Sequence, residues 1–223
     1  MQLELDDKAK ELMTINTPYG LYRYNRMCFG VASSPAVFQR LMDAMTADLP
    51  GTAAYMDDLI LTGSTPEEHW AHVDALLKRL SEYGLSIKAE KCKFYKPSVR
   101  YLGHVIDRNG KRPSDESTDA IRNLPVPQDK QQLISILGKI NYYGSFIPNL
   151  SSVAAPLNAM RSKDVPFRWT PEWTEAFQKL KEKVIDATTL HHFNPSMKTV
   201  LATDASPYGI GAALSQIDAS GKE

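Results

Sequence analysis

"AAYMDDLILTG", residues 53–63, places two adjacent carboxylates, Asp57 and Asp58, inside an apolar run. An unpaired buried charge is strongly unfavourable, and a like charge beside it adds to the cost. The two acids therefore lie either in a tight turn open to water or on either side of a positive charge. The flanking residues favour two buried strands, and the Asn or Gly that is usual in a two-residue hairpin is absent. The second alternative predicts a divalent cation, and oxygen ligands of this kind suit magnesium.

The composition is that of an ordinary globular protein. The chain has 223 residues, 43% hydrophobic and 23% charged, with a formal net charge of zero, and could form one large domain or two small ones. Its apolar runs are shorter than the roughly 18 residues of a membrane helix, and its acidic N-terminus is no signal peptide. Cys28 and Cys92 lack zinc-type spacing, which favours a reducing compartment. Nucleic-acid binding stays open because local charge patches matter more than the sum.

Hydrophobic spacing and turn residues predict a mixture of short strands and amphipathic helices. In the first half they predict a hairpin within 17–30, a helix over 35–48, two strands around Asp57–Asp58, a capped helix from Thr65–Pro66 to Gly84, and a strand over 99–111 that turns at Asn109–Gly110. In the second half they predict helices over about 114–123, 129–146 and 151–160, a helix capped by Thr170–Pro171, and two strands within 197–216. Because a two-stranded hairpin alone is marginal, the last segment indicates the start of a larger domain.

Several segments, in a fixed order, resemble the Pol polyproteins of gypsy-type LTR retrotransposons. YMDD followed by an apolar strand is similar to the catalytic hairpin of reverse transcriptases. The other matching segments are TPYGLYRYNRMCFGVASSPAVFQRLMD, GLSIKAEKCKF, YLGHVIDRNGKRP, LGKINYYGSFIPNLSSVAAPL, FRWTPEWTEAFQKLK and TDASPYGIGAALSQ. None is specific alone, but together they cover nearly the whole chain.

The resemblance implies an RNA-directed DNA polymerase that works by a two-metal mechanism of phosphoryl transfer. Asp57 and Asp58 would be two of the three metal-binding carboxylates of the palm. Mg²⁺ would be the cofactor, with Mn²⁺ as a substitute. Asp204 in TDAS matches the first metal-binding carboxylate of the RNase H fold, although an aspartate at a strand end is ordinarily a cap.

The resemblance also assigns residues to the substrates. Tyr55 and Met56 would lie under the growing primer end. Tyr101, Leu102 and Gly103 match the primer grip, a hairpin that holds the primer terminus. The residues that would line the incoming nucleotide and the template are Phe29, Gly30, Pro35, Phe38 and Gln39.

Basic residues provide further candidate contacts. Lys91 aligns with a lysine proposed to protonate the departing pyrophosphate, and an ordinary surface lysine is the alternative. The basic segment 88–100 would contact phosphates, and such contacts depend on salt. The helix within 129–146 resembles the thumb, which lies along the duplex. Gly144 stands where many relatives have a basic residue, which leaves one phosphate contact open, and a kink in the helix is the alternative role of this glycine.

The predicted fold is α+β in three parts. Residues 1–107 would form a partial polymerase palm of antiparallel strands with helices on one face, 108–168 a helical thumb and connection, and 169–223 the first part of an RNase H-like domain. The resemblance places the family's first catalytic aspartate before Met1 and the other RNase H acids after Glu223. Since losing one member of a catalytic group can remove nearly all activity, the chain alone is expected not to polymerise DNA.

The resemblance implies nucleic-acid partners in the full-length protein. These are an RNA template, a DNA primer, RNA–DNA hybrid and deoxynucleoside triphosphates, together with the rest of the Pol polyprotein and no membrane. The expected location is intracellular, in cytoplasmic virus-like particles and in the nucleus. The alternatives are a non-catalytic nucleic-acid-binding remnant of a retroelement and an interaction protein with no nucleic-acid role.

Overall fold

A computed structural model describes residues 3–28, 30–162, 164–187, 189–206, 209–218 and 220–221. Over these residues helices alternate with short antiparallel strands, and the predicted α+β class is confirmed. The chain divides into two compact units, Met1–Phe94 and Tyr95–Glu223. The three-part division predicted from the sequence stays a prediction. Among the described helices, none has both the length and the apolar character needed to cross a membrane.

The first unit begins with a short helix and a hairpin. Helix α1 (Asp7–Leu12), which the sequence patterns did not predict, follows Asp6, whose carboxylate accepts a hydrogen bond from the Ala9 amide at 2.7 Å. Strands β1 (Thr14–Thr17) and β2 (Gly20–Arg23) form a hairpin that overlaps the one predicted within 17–30, but its first strand lies almost wholly before that range. The hairpin ends earlier than predicted, because the aromatic alternation continues beyond the paired residues.

Two helices flank the hairpin that carries the acidic pair. The order along the chain is α2 (Ser34–Thr46), β3 (Thr52–Tyr55), β4 (Asp58–Leu61) and α3 (Pro66–Glu82), which confirms both predicted helices. Strands β3 and β4 pair antiparallel. The elements share a small core with four buried side chains, Met42, Met45, Leu76 and Leu80.

Local signals account for both ends of α3. The Thr65 hydroxyl accepts a hydrogen bond from the Glu68 amide at 3.2 Å, and the Glu68 carboxylate accepts one from the Ser64 amide at 2.6 Å. The predicted capping box is thus present, with its return bond to the residue before the cap. Gly84 has φ +66°, the left-handed conformation that commonly ends a helix.

The second unit opens with a three-stranded antiparallel sheet. Its strands are β5 (Ser98–Tyr101), β6 (His104–Asp107) and β7 (Gly110–Pro113), in that spatial order. The prediction of a single strand before Asn109–Gly110 was wrong, because the chain already turns at Leu102–Gly103. Leucine does not mark such a turn, so the apolar alternation conceals it.

Four helices follow the sheet and form a second core. They are α4 (Asp115–Arg122), α5 (Lys130–Tyr142), α6 (Leu150–Ala159) and α7 (Pro171–Ile185), at the predicted places, although α5 ends at Tyr142 and not at 146. The Asp129 carboxylate caps α5 by accepting a hydrogen bond from the Gln132 amide at 2.7 Å. Thr170 makes no capping hydrogen bond, so its predicted cap was wrong; the helix begins there because Pro171 fits a first helical turn. The buried residues of this core include Leu133, Ile140, Phe146, Leu157, Met160, Leu180 and Val184.

The final strands, β8 (Lys198–Ser206) and β9 (Gly209–Ile217), form the predicted hairpin. Ahead of them, Leu190 exchanges two backbone hydrogen bonds with Lys111, at 2.8 and 2.9 Å. Gly110 permits this approach, because a Cβ there would lie 2.0 Å from the Leu190 carbonyl oxygen. The segment after α7 therefore docks on the edge of β7.

Candidate active site

The YMDD hairpin presents both aspartates to solvent. Tyr55 and Asp58 are paired across the strands, so Met56 and Asp57 form a two-residue turn. Met56 has φ +55°, a left-handed conformation that is uncommon outside glycine. Asp57 and Asp58 are both exposed, next to each other at the tip of the hairpin.

The expectation that both strands are buried was wrong. Ala54, Leu59 and Leu61 pack against the core of the first unit, whereas Ala53 and Tyr55 are exposed. A strand turns successive side chains to opposite faces, and only one face of this hairpin meets the helices. The two carboxylates therefore lie in water, and burial does not by itself require a cation beside them.

A glutamine of α2 holds the turn. The Gln39 side-chain nitrogen donates to the Ala54 carbonyl at 3.1 Å, and its side-chain oxygen accepts from the Met56 amide at 2.6 Å. The same nitrogen lies 2.7 Å from the Asp43 carboxylate. A left-handed residue other than glycine persists when its surroundings fix it, and Gln39 makes that contact directly. The role of Gln39 at the nucleotide stays a prediction, since in this structure its amide binds the hairpin.

The open end of the hairpin is fixed as well. The Thr62 amide donates to the Gly51 carbonyl at 2.8 Å, and His72 of α3 donates from Nδ1 to the Thr62 carbonyl at 2.7 Å. Gly51 has φ +63°, and a Cβ there would lie 2.5 Å from the Thr62 carbonyl oxygen. The tip that carries Asp57 and Asp58 thus stands on a strand pair held at both ends.

The two aspartates can serve as ligands for a divalent cation. Mg²⁺ commonly binds one or two carboxylates and keeps several waters, which adjacent exposed side chains allow. Within the described ranges, no group of three or more His, Cys, Asp or Glu side chains could hold a metal ion. The described residues therefore fit one hydrated ion more readily than the metal pair of a two-metal mechanism.

The predicted nucleotide-binding residues differ in their surroundings. Pro35 is exposed in the first turn of α2, and Gly30 is exposed with φ +90°. Phe38 is partly buried against the core of the first unit. Phe29 lies outside the described residues. Lys91 is exposed in a short 3₁₀ turn, so its two alternative roles both stay open.

The predicted primer grip is a tight turn between β5 and β6. Leu102 and Gly103 have φ +47° and +73°. The Leu102 carbonyl accepts a hydrogen bond from the Tyr142 hydroxyl at 2.8 Å, and the Gly103 carbonyl accepts from the Ser114 amide at 3.0 Å and the Ser117 hydroxyl at 3.1 Å. The sequence did not indicate these contacts, because they join residues far apart in the chain.

The second unit contains Asp204, the predicted RNase H metal ligand, and Gly144, which stands at the position of an expected basic residue. Asp204 lies in β8, paired in register with Gly211. Helix α5 ends at Tyr142, and Gly144 begins a 3₁₀ turn. A Cβ on Gly144 would lie 3.0 Å from Leu150 Cδ2, so glycine leaves room for Leu150 where a longer basic side chain was expected.

Two family models match the chain. Residues 1–106 match "Reverse transcriptase (RNA-dependent DNA polymerase)", and residues 169–223 match "RNase H-like domain found in reverse transcriptase". The chain belongs to the reverse transcriptase family. Reverse transcriptases use divalent metal ions, in agreement with the ligand type of the YMDD hairpin.

Retrotransposon polyproteins are among the relatives of this reverse transcriptase chain. The Transposon Tf2-3 and Tf2-7 polyproteins of Schizosaccharomyces pombe are 33% and 32% identical to it over 206 residues. The match covers 92% of this chain and 16% of each polyprotein. The predicted origin in a retrotransposon Pol polyprotein is confirmed, and these relatives are consistent with the gypsy type.

Solved structures support the same fold. The foamy viral protease-reverse transcriptase in complex with double-stranded DNA matches with a TM-score of 0.82 and 24% identity, over 96% of this chain and 38% of that chain. The same viral protein in complex with RNA/DNA hybrid matches with a TM-score of 0.78 and 23% identity, over 99% of this chain and 32% of that one. The partial reverse transcriptase fold predicted from the sequence is thereby confirmed.

Proposed function

We propose that this chain is the part of a retrotransposon reverse transcriptase that carries the YMDD metal ligands, the primer grip and the start of the RNase H-like domain. The reaction would be nucleotidyl transfer to a DNA primer on an RNA or DNA template. The observation that carries this proposal is the YMDD tip itself. Asp57 and Asp58 are exposed side by side on a hairpin that Gln39 and His72 hold at both ends.

The metal is proposed to be Mg²⁺, with Mn²⁺ able to replace it. Asp57 and Asp58 would hold it, and Asp204 would be a ligand in the RNase H-like domain. Bound there, the ion would supply positive charge for the phosphates of the substrate. The protein's own contribution is positional, because the hairpin backbone that carries the two carboxylates is already fixed before an ion binds.

The proposed partners are an RNA template, a DNA primer, their hybrid and deoxynucleoside triphosphates. The foamy viral neighbours bind double-stranded DNA and RNA/DNA hybrid. Lysines 88, 91, 93 and 96 are all exposed. One side of α5 is also exposed, and there is open space beside its Gly138, where a Cβ would meet no atom within 4 Å. Exposed basic residues suit contact with a sugar–phosphate backbone, and the open side of α5 leaves room for one.

Catalysis is proposed to need further segments of the polyprotein. No third carboxylate joins Asp57 and Asp58 among the described residues, and a metal pair needs more ligands than these two provide. The rest of the Pol polyprotein is thus a partner. The resemblance to retrotransposon polyproteins also supports an intracellular location, in cytoplasmic virus-like particles and in the nucleus. The free thiols of Cys28 and Cys92 suit a reducing compartment.

Primer extension on an RNA template tests the polymerase assignment. In a polyprotein that contains these residues, Asp57→Asn is expected to lower the extension rate by a factor of about a hundred or more. Asp74→Asn, which changes an exposed aspartate of α3, is the matched control and is expected to leave the rate unchanged. Extension that survives Asp57→Asn contradicts the proposal.

The isolated 223-residue chain distinguishes a second candidate function. The absence of a third clustered carboxylate among the described residues favours a remnant that binds nucleic acid without synthesis. That alternative is supported if the isolated chain binds RNA–DNA hybrid in a salt-sensitive way and a polyprotein that contains it extends no primer. Extension by the isolated chain that vanishes in Asp57→Asn shows instead that no further segment is needed.

A further inference from the structure

The turn at 102–103 places a leucine in a conformation that hairpin turns usually reserve for Asn, Asp or Gly. Leu102 has φ +47°, in the left-handed region that residues with a Cβ seldom adopt. Gly103 follows with φ +73°, so two consecutive residues are left-handed. Conformations of this kind persist when surrounding contacts fix them, and they are frequent at functional sites.

Both carbonyls of the turn receive hydrogen bonds from residues after the sheet. The Tyr142 hydroxyl, at the end of α5, donates to the Leu102 carbonyl at 2.8 Å. The Ser117 hydroxyl of α4 donates to the Gly103 carbonyl at 3.1 Å, beside the Ser114 amide at 3.0 Å. The turn is therefore fastened at two successive peptide groups by two different helices.

Steric fit supports the same arrangement. A Cβ on Gly103 would lie 2.8 Å from the Tyr143 hydroxyl oxygen and 3.3 Å from Ser117 Oγ. The turn thus approaches α4 and α5 more closely than a residue with a side chain at position 103 allows. Glycine serves both the backbone conformation and this close contact.

Tyr142 is anchored on one side and open on the other. Its ring lies 5.2 Å from the ring of the buried His104 and 5.0 Å, edge-on, from the ring of Tyr143. Yet 53% of its surface is exposed. The ring thus rests on His104 and Tyr143, while its hydroxyl reaches the Leu102 carbonyl.

We propose that Tyr142 is a positioning residue, whose hydroxyl sets the shape in which the 101–104 turn receives the end of a primer strand, with Ser117 as the second support. This role rests on the proposed function, because contact between the turn and a primer is part of that proposal. The ligand is defined chemically as the 3′-terminal nucleotide of a DNA strand paired to an RNA template.

The test uses the full chain and a hybrid with 2-aminopurine at the primer 3′ end. Tyr142→Phe keeps the ring on His104 and removes the hydroxyl. Amide hydrogen exchange at residues 102–104 is expected to become about three- to tenfold faster, the effect of one hydrogen bond. The 2-aminopurine signal of the bound primer is expected to shift while the hybrid Kd stays unchanged and the Tm falls by no more than about 4 °C, the loss of one hydrogen bond. Tyr19→Phe removes a hydroxyl from an 89% exposed residue of the first unit and is expected to change none of these.

A second pair of variants keeps the test decisive. Ser117→Ala is expected to act in the same direction as Tyr142→Phe, and Ser117→Thr, which keeps a hydroxyl, to restore the primer signal. If amide exchange at residues 102–104 is unchanged in Tyr142→Phe, the Tyr142 hydroxyl does not hold the turn. Faster exchange with an unchanged primer signal, or a loss of Tm and hybrid affinity together, overturns the positioning role. A wild-type chain that binds no hybrid overturns the proposed function and the primer role with it. The exchange data still show in that case whether the Tyr142 hydroxyl holds the turn.

Discussion

A single amide side chain binds the backbone of the YMDD turn at two points. Gln39 satisfies one acceptor and one donor of the hairpin backbone, at Ala54 and at the left-handed Met56. The sequence resemblance places Gln39 near the nucleotide but gives no sign of these contacts. At the residue scale, motif identity was therefore predictable, whereas the bonds that hold the motif required coordinates.

Replacing Gln39 by Ala is expected to loosen the turn. The change removes both hydrogen bonds and leaves the Met56 amide to water, which should lower the free energy of unfolding by about 1–2 kcal/mol. Urea denaturation and amide exchange at Met56 measure the effect. Gln131→Ala, at an exposed position of α5, is the control and should change stability by less than about 0.5 kcal/mol. Equal effects of the two substitutions would show that Gln39 does not hold the turn.

The buried His104 predicts a loss of stability in acid. Burial lowers its pKa below the ordinary value of 6.5, and the charge of Lys111 acts in the same direction. The unfolded chain then binds a proton at a higher pH than the folded chain, so stability falls as pH decreases through 6.5 toward the lower folded pKa. Melting temperatures measured from pH 7.5 to 5.5 should fall less in His104→Phe than in the wild type. An identical pH dependence of the two proteins contradicts the assignment.

At the element scale, helices were easier to predict than strand pairs. The helices carry start and stop signals in the sequence, such as the Thr65 cap, the Asp129 cap and Gly84, and their starts agreed with the structure, whereas the helix predicted over 129–146 ends at Tyr142. The hydrophobic pattern missed the turn at Leu102–Gly103, which only the resemblance to the primer grip indicated, because Gly103 alone is a weak signal and leucine is none. The YMDD strands were expected to be buried because their residues are apolar, yet burial depends on which face meets another element.

Two glycines in the second unit should respond oppositely to alanine. Gly138 lies inside α5 with open space around it, so Gly138→Ala should raise the free energy of unfolding by about 0.5–1 kcal/mol. Gly110 has φ +139°, and a Cβ there would collide with Leu190. Gly110→Ala should therefore lower stability by about 1–3 kcal/mol. Denaturant titration measures both, and effects of the same sign contradict the docking of Leu190 on β7.

At the scale of the whole molecule, each compact unit has a core of its own. Met45 is fully buried in the first and Leu180 in the second. Fold class and family followed from the sequence because many weak motifs occur in one order along most of the chain. The division at Phe94–Tyr95 did not follow, since no run of linker-type residues marks it.

Core substitutions should therefore act within one unit. Met45→Ala and Leu180→Ala should each cost about 2–5 kcal/mol, because each removes a fully buried side chain. Amide exchange should become faster in α3 for the first variant and in α5 for the second. Leu201→Ala, at a 63% exposed position, is the control and should have little effect. Faster exchange in both helices from either core variant would indicate a single cooperative unit.

Paramagnetic broadening by Mn²⁺ tests the metal role of the YMDD hairpin most directly. In the isotopically labelled chain, substoichiometric Mn²⁺ should broaden the amide signals of residues 55–59, and excess Mg²⁺ should restore them. Asp57→Asn should abolish this broadening, and Asp74→Asn should leave it intact. If the hairpin signals stay sharp, or if they broaden equally in Asp57→Asn, the two aspartates are turn residues in water and not metal ligands.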